Sequence, residues 1–251
     1  MGSALEKRHK REWEELARVD PFWSVLAQEG TLGGGWDPDE FFRTGEVEVN
    51  DVLAVAAGLG YPVGHERALD FGCAVGRLTR ALAGRFEEVV GVDISEEMVN
   101  RARELNADRP NSSFLVNSRA DLALFQTGTF DFVYSSIVLQ HLPRKSLIAG
   151  YISELVRVLK AGGIAVFQTL SYMPPARRVQ PRRRAYALLR RLGVPKEFLV
   201  LRLKLAPMRM LAISDTEVRA AVERSGGVVE HVEPHENVET MRSLRYYVRL
   251  A

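Results

Sequence analysis

Apolar positions along this chain follow a helical rhythm first and a strand–helix alternation afterwards. Over residues 4–19, Trp13, Leu16 and Ala17 fall on one face among charges, which predicts a helix that Asp20-Pro21 stops. A glycine-rich loop, 30–35, precedes Trp36. Val49, Val52, Leu53, Ala56 and Leu59 then recur at helical spacing, and Gly60 and Pro62 end that helix. From residue 68 short apolar runs take over. Strands are predicted at 68–71, 89–92, 113–116, 130–134 and 164–167. Helices are predicted from Arg77, from Ser95 as an N-cap with Met98 in the first turn, and from Pro143, where Leu147, Ile148, Tyr151, Ile152 and Leu155 face inward. Gly162-Gly163 separates that last helix from the fifth strand. Two late runs, 228–232 and 244–248, are predicted to pair antiparallel at one edge. This alternation implies a mostly parallel, doubly wound α/β sheet, with ligands above the carboxyl ends of its strands.

The junction at 67–79 changes the picture most. A buried strand ends in the turn Asp70-x-Gly72-x-Ala74-x-Gly76 and enters a helix. Small residues at every second position let a backbone approach a ligand closely. Asp93 ends the next apolar strand, at a distance that suits an acid accepting hydrogen bonds from the two hydroxyls of a ribose. The turn lacks the extra residue of Gly-x-Gly-x-x-Gly, and the chain closes with a hairpin rather than a second parallel half. Both features argue against a dinucleotide. Cys73, the single cysteine, sits inside the turn, where it reads as a packed thiol without an activating neighbour.

Composition adds little, and charge adds more. The chain has 251 residues, 46% hydrophobic and 26% charged, enough for one large domain with additions. No run reaches the length of a membrane span, and the first ten residues hold no apolar signal core, so a reducing, cytoplasmic setting is expected. The total charge is +2, yet residues 171–210 hold eleven Lys and Arg against Glu197 alone. That local surplus of ten leaves −8 on the rest. It predicts a basic insertion with two amphipathic helical stretches, 186–192 and 198–205. Its partners are a solvated face, an anionic small molecule, an acidic surface or, third in order, RNA, since exposed aromatics among the basic residues are sparse.

Taken in order, Asp70-Phe-Gly-Cys-Ala-Val-Gly76, Val92-Asp-Ile-Ser95, Arg119-Ala-Asp-Leu122, Phe130-Asp-Phe-Val-Tyr-Ser-Ser136, Leu139-Gln-His-Leu-Pro143 and Leu159-Lys-Ala-Gly-Gly163 resemble the class I S-adenosylmethionine (SAM)-dependent methyltransferases. The similarity is closest to the small-molecule group that includes quinone-biosynthesis and antibiotic-tailoring enzymes, and it covers about 66–167 in ordered motifs. Ala74 departs from the glycine common there, a mild change provided the backbone needs no positive φ. The resemblance implies a Rossmann-like, seven-stranded, doubly wound sheet, mostly parallel with one antiparallel strand near an edge. The motifs do not reach the N-terminal region or the basic block; the chain is expected to divide into an N-terminal helical cap (1–60), a cofactor-binding core (61–170), a basic lid insertion (171–212) and a C-terminal helix and hairpin (213–251).

The same resemblance implies SAM as cofactor and S-adenosylhomocysteine as product, with no metal. Backbone groups from Gly72, Cys73 and Ala74 to Gly76 would meet the methionine portion, with Asp70 near its ammonium. Asp93 would hold the ribose and Ile94 would pack on the adenine. Ala120 and Asp121 would read the adenine edge, beside Leu122 and with Met98 nearby. Ser136 and Ile137 would line the sulfonium. His141, in the loop after the fourth strand, is the candidate general base, balanced against a role as a helix cap. His235 is a weaker second candidate. His9 and His65 read as surface, and His231 as structural. Trp36, Phe41, Phe42, Tyr172 and Tyr186 either line an acceptor pocket or belong to the core. The leading expectation is methyl transfer to an oxygen or nitrogen of a small-molecule acceptor, secondary-metabolite or quinone-like. The alternatives are an RNA-modifying methyltransferase that uses the arginine-rich lid, a SAM-binding non-catalytic partner subunit and, fourth, a nicotinamide oxidoreductase.

Overall fold

The computed structural model describes residues 4–235 and 240–251. Three helices lead: α1 (Ala4–Val19), α2 (Pro21–Val25) and α3 (Pro38–Gly58). The alternating region follows as β1 (Arg67–Phe71), α4 (Arg77–Ala83), β2 (Glu88–Asp93), α5 (Glu96–Leu105), β3 (Ser112–Val116), β4 (Phe130–Ser135), α6 (Lys145–Arg157) and β5 (Leu159–Tyr172). The basic segment carries α7 (Pro175–Arg178), α8 (Pro181–Arg191) and a π-helical turn, Phe198–Arg202. The chain closes with α9 (Asp215–Arg224), β6 (Gly227–His235) and β7 (Arg242–Leu250).

The seven strands run in the order β3-β2-β1-β4-β5-β7-β6. The first five pair in parallel, while β7 pairs antiparallel with both β5 and β6. The hairpin expected at an edge is therefore present, with β6 outermost. The direction of winding reverses between β1 and β4, which is where an open α/β sheet leaves a crevice at its carboxyl ends.

Side chains from the inner strands alternate strictly between two apolar layers. Leu69, Val133, Ala165 and Phe167 pack with α6 and α9 on one face. Ala68, Phe132, Tyr134, Ile164 and Val166 pack with α3 and α4 on the other. Because both faces are covered, the inner strands read as continuous apolar runs. Helix α3 comes close to α4 at Gly45, where a Cβ would stand 2.5 Å from the Arg77 carbonyl oxygen.

Two boundaries differ from expectation. Strand β5 begins at Leu159 rather than after the glycine pair, because Gly162 (φ +79°) and Gly163 form an irregularity within the strand, where the register to β4 shifts. A Cβ on Gly163 would meet the Asp131 carbonyl at 2.8 Å. Helix α6 begins at Lys145 and not at Pro143. Leu142, held before proline, is extended (φ −61°, ψ 146°), and the helical bonds start from the Arg144 carbonyl.

Helix α1 lies outside the two sheet layers. Its Leu16 packs with Tyr186, Leu199 and Val200 of the basic segment, and its Ala17 joins Trp36, Phe41, Val75 and Met98. Its acids reach three different elements. Glu14 accepts from the backbone N–H of Glu96 (2.8 Å) and Glu97 (3.2 Å), which caps the start of α5. Glu12 pairs with Arg183 at 3.0 Å, and Glu15 with Arg190 at 3.8 Å. Glu6 pairs with Arg144. Part of the basic surplus is therefore neutralised by acids from the far end of the chain. Of the two amphipathic stretches expected in this segment, the first is α8; the second folds as the shorter π-helical turn.

Candidate active site

The glycine turn sits at the carboxyl end of β1. Gly72 and Cys73 both donate their N–H to the Val92 carbonyl, at 2.8 and 3.0 Å, and Gly76 closes the turn on the Cys73 carbonyl at 2.8 Å. Gly72, Ala74 and Gly76 all have positive φ, +81°, +46° and +85°. For Gly72 no side chain fits in any case, since a Cβ would lie 2.3 Å from a Val138 methyl carbon. Gly76 serves packing, because a Cβ there would meet the Asn106 amide at 2.5 Å.

Ala74 corrects the reading of that position as a mild change. Its left-handed backbone costs an L-residue about 1–2 kcal/mol. Ala74→Gly is expected to stabilise the chain by about 0.5–1 kcal/mol, the relief of strain being partly offset by glycine's greater unfolded-state freedom. Urea unfolding of the two proteins checks this, and a less stable glycine variant contradicts it.

A cavity that is partly open to solvent lies beside the turn. Of the residues singled out from sequence, Gly72, Cys73, Ala74, Asp93, Ile94, Met98, Ser136, Ile137 and His141 line it. Asp70, Gly76, Ala120, Asp121 and Leu122 do not. Leu122 is fully buried in the core layer against α6. Asp121 turns outward, where both its oxygens accept from the Arg119 guanidinium at 2.8 and 3.2 Å. The cavity wall at that end is Asn117, which follows β3 directly; its amide nitrogen donates to the Asp121 carbonyl at 2.8 Å.

Asp93 is held from behind and left able to accept more. Ser95 N–H donates to Oδ1 at 2.8 Å and Ala74 N–H to Oδ2 at 3.0 Å, which uses one lone pair on each oxygen. Burial raises its pKa to about 6 against the pull of these bonds, and the charge on Glu14 adds to the rise. Asp70 lies beneath the turn, 1% exposed. Its Oδ2 accepts from the Thr79 hydroxyl at 2.6 Å, while its Oδ1 has no hydrogen-bond partner. Burial pushes its pKa to about 7, because an ionised carboxylate so enclosed lacks solvation. Burial likewise pushes the Cys73 thiol well above its usual range, which leaves it an inert packing group.

These features suit a cationic nucleoside. Backbone at the turn can come close, and a strand-end carboxylate has free lone pairs for hydroxyl donors. Arg77, at the start of α4, also lines the cavity and is 3% exposed. It donates to Glu48 at 2.7 Å, and Glu48 accepts from the Tyr134 hydroxyl at 2.7 Å as well. Burial opposes the charge on Glu48, yet Arg77 and the hydroxyl outweigh it and hold the carboxyl at about 2.

The histidines divide differently from the sequence reading. His141 is buried in a short 3-10 turn. Its Nδ1 stands 2.6 Å from the Arg209 carbonyl, which can only accept, so Nδ1 carries the proton and Nε2 the lone pair. Gln140 Nε2 approaches that lone pair at 3.4 Å, a long contact. Burial lowers the His141 pKa, which keeps the ring neutral at neutral pH. His9, expected at the surface, is 7% exposed and lines the same cavity. Trp13 stands edge-on to both rings, 6.2 Å from His9 and 5.4 Å from His141. Burial lowers the His9 pKa to about 4, with His141, Arg209 and Arg183 adding to the fall.

His65 stacks on Phe86, and His235 contacts Arg245 at 2.8 Å rather than the cavity. None of Trp36, Phe41, Phe42, Tyr172 and Tyr186 lines the cavity; Trp36, Phe41 and Tyr186 are core, and Tyr172 is exposed. Next to His9, the Arg8 and Arg183 guanidinium groups both bond Glu12, at 2.8 and 3.0 Å. The Arg209 side chain joins this group with no hydrogen-bond or ion-pair partner among the described residues, and burial with the charge on Arg183 lowers its pKa.

Comparison with known proteins agrees with this geometry. Residues 69–167 match the family described as Methyltransferase domain. Over 156 residues the chain is 31% identical to 2-methyl-6-phytyl-1,4-hydroquinone methyltransferase of Synechocystis sp., which covers 62% of this chain and 48% of that protein. Over 137 residues it is 31% identical to ubiquinone biosynthesis O-methyltransferase of Thiobacillus denitrificans, covering 54% and 57%. The chain thus spans about half the length of the curated relatives it matches. Magnesium protoporphyrin IX methyltransferase of Synechocystis PCC 6803, solved with bound SAM, superposes with a TM-score of 0.62 at 20% identity, over 99% of this chain and 98% of that one. Residues 69–167 thus match a methyltransferase domain, carried on a seven-stranded sheet with the glycine turn at its switch point.

Proposed function

We propose that the chain transfers a methyl group from SAM to an oxygen or nitrogen of a small-molecule acceptor, secondary-metabolite or quinone-like, with His141 as the general base. One observation carries this reading: a neutral, tautomer-fixed His141 lines the same cavity as Asp93 and the glycine turn. When bound, SAM supplies a methyl group already activated on a sulfonium. This chain's residues then have to bind, align and move one proton. Asp93 would accept from the ribose hydroxyls, Asn117 with Ile94 would bound the base, and Asp70 lies buried beneath the turn that would meet the methionine portion. His141 Nε2 takes the proton that the acceptor loses as its new bond to carbon forms.

The relatives support the acceptor class, one being a hydroquinone methyltransferase and the other an O-methyltransferase of ubiquinone biosynthesis. The surplus of positive charge around Glu12, with Arg209 unpaired beside His9, favours an acceptor that carries an anionic group. His9 is a second candidate for the base, because it lines the same cavity in its neutral form. RNA modification and a non-catalytic subunit draw less support: two of the basic residues that suggested RNA, Arg183 and Arg190, are engaged by α1 acids. The buried, unpaired thiol of Cys73 favours a reducing, cytoplasmic setting. The functional parts follow as a cap (1–60), a core (61–170), a lid (171–212) and a closing hairpin unit (213–251).

The test is transfer of label from methyl-labelled SAM to a panel of hydroquinones, phenols, amines and their carboxylated forms. The expected result is label on oxygen or nitrogen of a small acceptor, fastest with an anionic one. Label found only on RNA, or on no acceptor, contradicts the proposal.

A further inference from the structure

We propose that the outer face of the basic segment, 179–204, is a docking surface for an anionic phospholipid bilayer. Among the described residues, eleven large hydrophobic side chains are exposed, and six of them fall in this one stretch: Val179, Leu188, Leu192, Phe198, Leu201 and Leu203. Leu192 is 71% exposed and Leu188 59%, values that a packed lid does not leave on its leucines. The positive charge lies in the same place. Arg182, Arg184, Arg191, Arg202 and Lys204 have no side-chain hydrogen-bond or ion-pair partner among the described residues.

Helix α8 separates its two sides clearly. Tyr186 and Leu189 pack inward on Leu16, and Arg183 and Arg190 reach the acids of α1. Arg184, Leu188, Arg191 and Leu192 fall on the opposite side at helical spacing. The following turn repeats the arrangement, burying Leu199 and Val200 in the same cluster while exposing Phe198, Leu201 and Arg202. The outward residues of both segments thus form the outside of one layer. Leucines interleaved with arginines are what an interfacial helix presents: aliphatic groups enter the acyl boundary while the guanidinium groups stay among the phosphates. Each basic residue near such a surface contributes comparably to one buried apolar group, so the two sets act together.

The other occupants fit less well. A second copy of this chain would bring the same unpaired positive charge against itself. An RNA backbone would satisfy the arginines and leave six apolar side chains in water, without aromatic platforms for its bases. A bilayer of anionic lipid accounts for both halves of the patch. It also suits the position of α1, whose acids hold the basic segment while His9 and Trp13 line the cavity.

Vesicle co-sedimentation of the full chain tests this surface independently of catalysis. Phosphatidylcholine vesicles containing about one-third phosphatidylglycerol are expected to bind the protein in dilute salt and release it as salt screens the charges. Pure phosphatidylcholine vesicles are expected to bind at least about tenfold more weakly. The double variant Leu188→Ser with Leu192→Ser, and separately Arg184→Gln with Arg191→Gln, should each weaken binding by about tenfold or more. Both should keep wild-type affinity for S-adenosylhomocysteine, which shows that they fold. Failure of anionic vesicles to bind the wild type overturns the proposal. So does binding that both double variants retain, a leucine-dependent dimer in sedimentation velocity without vesicle binding, or RNA binding in its place.

Discussion

Asp93→Ala is expected to weaken S-adenosylhomocysteine binding by at least about a hundredfold, the loss of two hydrogen bonds to a charged acceptor. The carboxylate is already oriented by Ser95 and Ala74, so the wild type spends little on ordering it when a ribose arrives. The effect carries a pH signature of definite sign. In the free protein, burial raises the Asp93 pKa to about 6, and ribose hydroxyls bind best to the ionised form. Affinity should hold above pH 6 and fall as pH drops through it, approaching tenfold per unit, while Asp93→Asn binds weakly and nearly independently of pH.

The same raised pKa has a consequence for the free fold. An acid whose folded pKa lies above its unfolded value contributes stability below the unfolded pKa and loses it as pH rises through the folded one. Ionised Asp93 therefore costs the free protein about 3 kcal/mol near neutrality, a cost that hydroxyl donors reduce on binding. Calorimetry at pH 7.5 and pH 5 reads both effects. Binding of Asp93→Ala within threefold of wild type at the higher pH removes Asp93 from the site.

The second large effect belongs to His141. His141→Ala is expected to lower kcat by about a hundredfold to ten-thousandfold while leaving the affinity for SAM nearly unchanged, because the side chain acts on the acceptor's proton. The working form is neutral imidazole, and burial lowers its pKa. The wild-type rate should therefore be level around neutrality and fall only in acid, as the ring becomes charged. The same substitution at His9 separates the two neutral histidines of the cavity: a larger loss of kcat in His9→Ala than in His141→Ala transfers the role of base. Near-normal turnover of His141→Ala at saturating acceptor excludes it as base.

What could be read before the structure, and what could not, follows from the range of each interaction. The strands and the glycine turn are local, since their apolar runs and small residues are contiguous in the chain. Asp93 was legible because it ends a strand beside that turn. Asn117 sits at the equivalent place after β3, donating its N–H to the Asp93 carbonyl at 2.8 Å, and that position was the available signal for it. Arg77 carried no such signal. Its burial depends on Glu48, twenty-nine residues away on another helix.

Helix α1 was misleading for a long-range reason. Its acids pattern as a solvated surface, yet they pair with Arg183 and Arg190 or cap α5, and so hold His9 and Trp13 against the cavity. The basic stretch misled by the same pairing seen from its other end. Ala74 needed its backbone angle, which no residue identity reports, before its cost could be judged. Asp121 was expected to point inward, but two residues away Arg119 offers a bidentate partner that holds it in solvent.

Titration calorimetry of the wild-type chain with S-adenosylhomocysteine shows whether the cavity beside the 70–76 turn binds SAM and its product. The expected result is one site per chain with micromolar affinity, lost in Asp93→Ala, and no comparable heat with NAD. Absence of S-adenosylhomocysteine binding to the folded wild type, or binding that Asp93→Ala leaves intact, would contradict it.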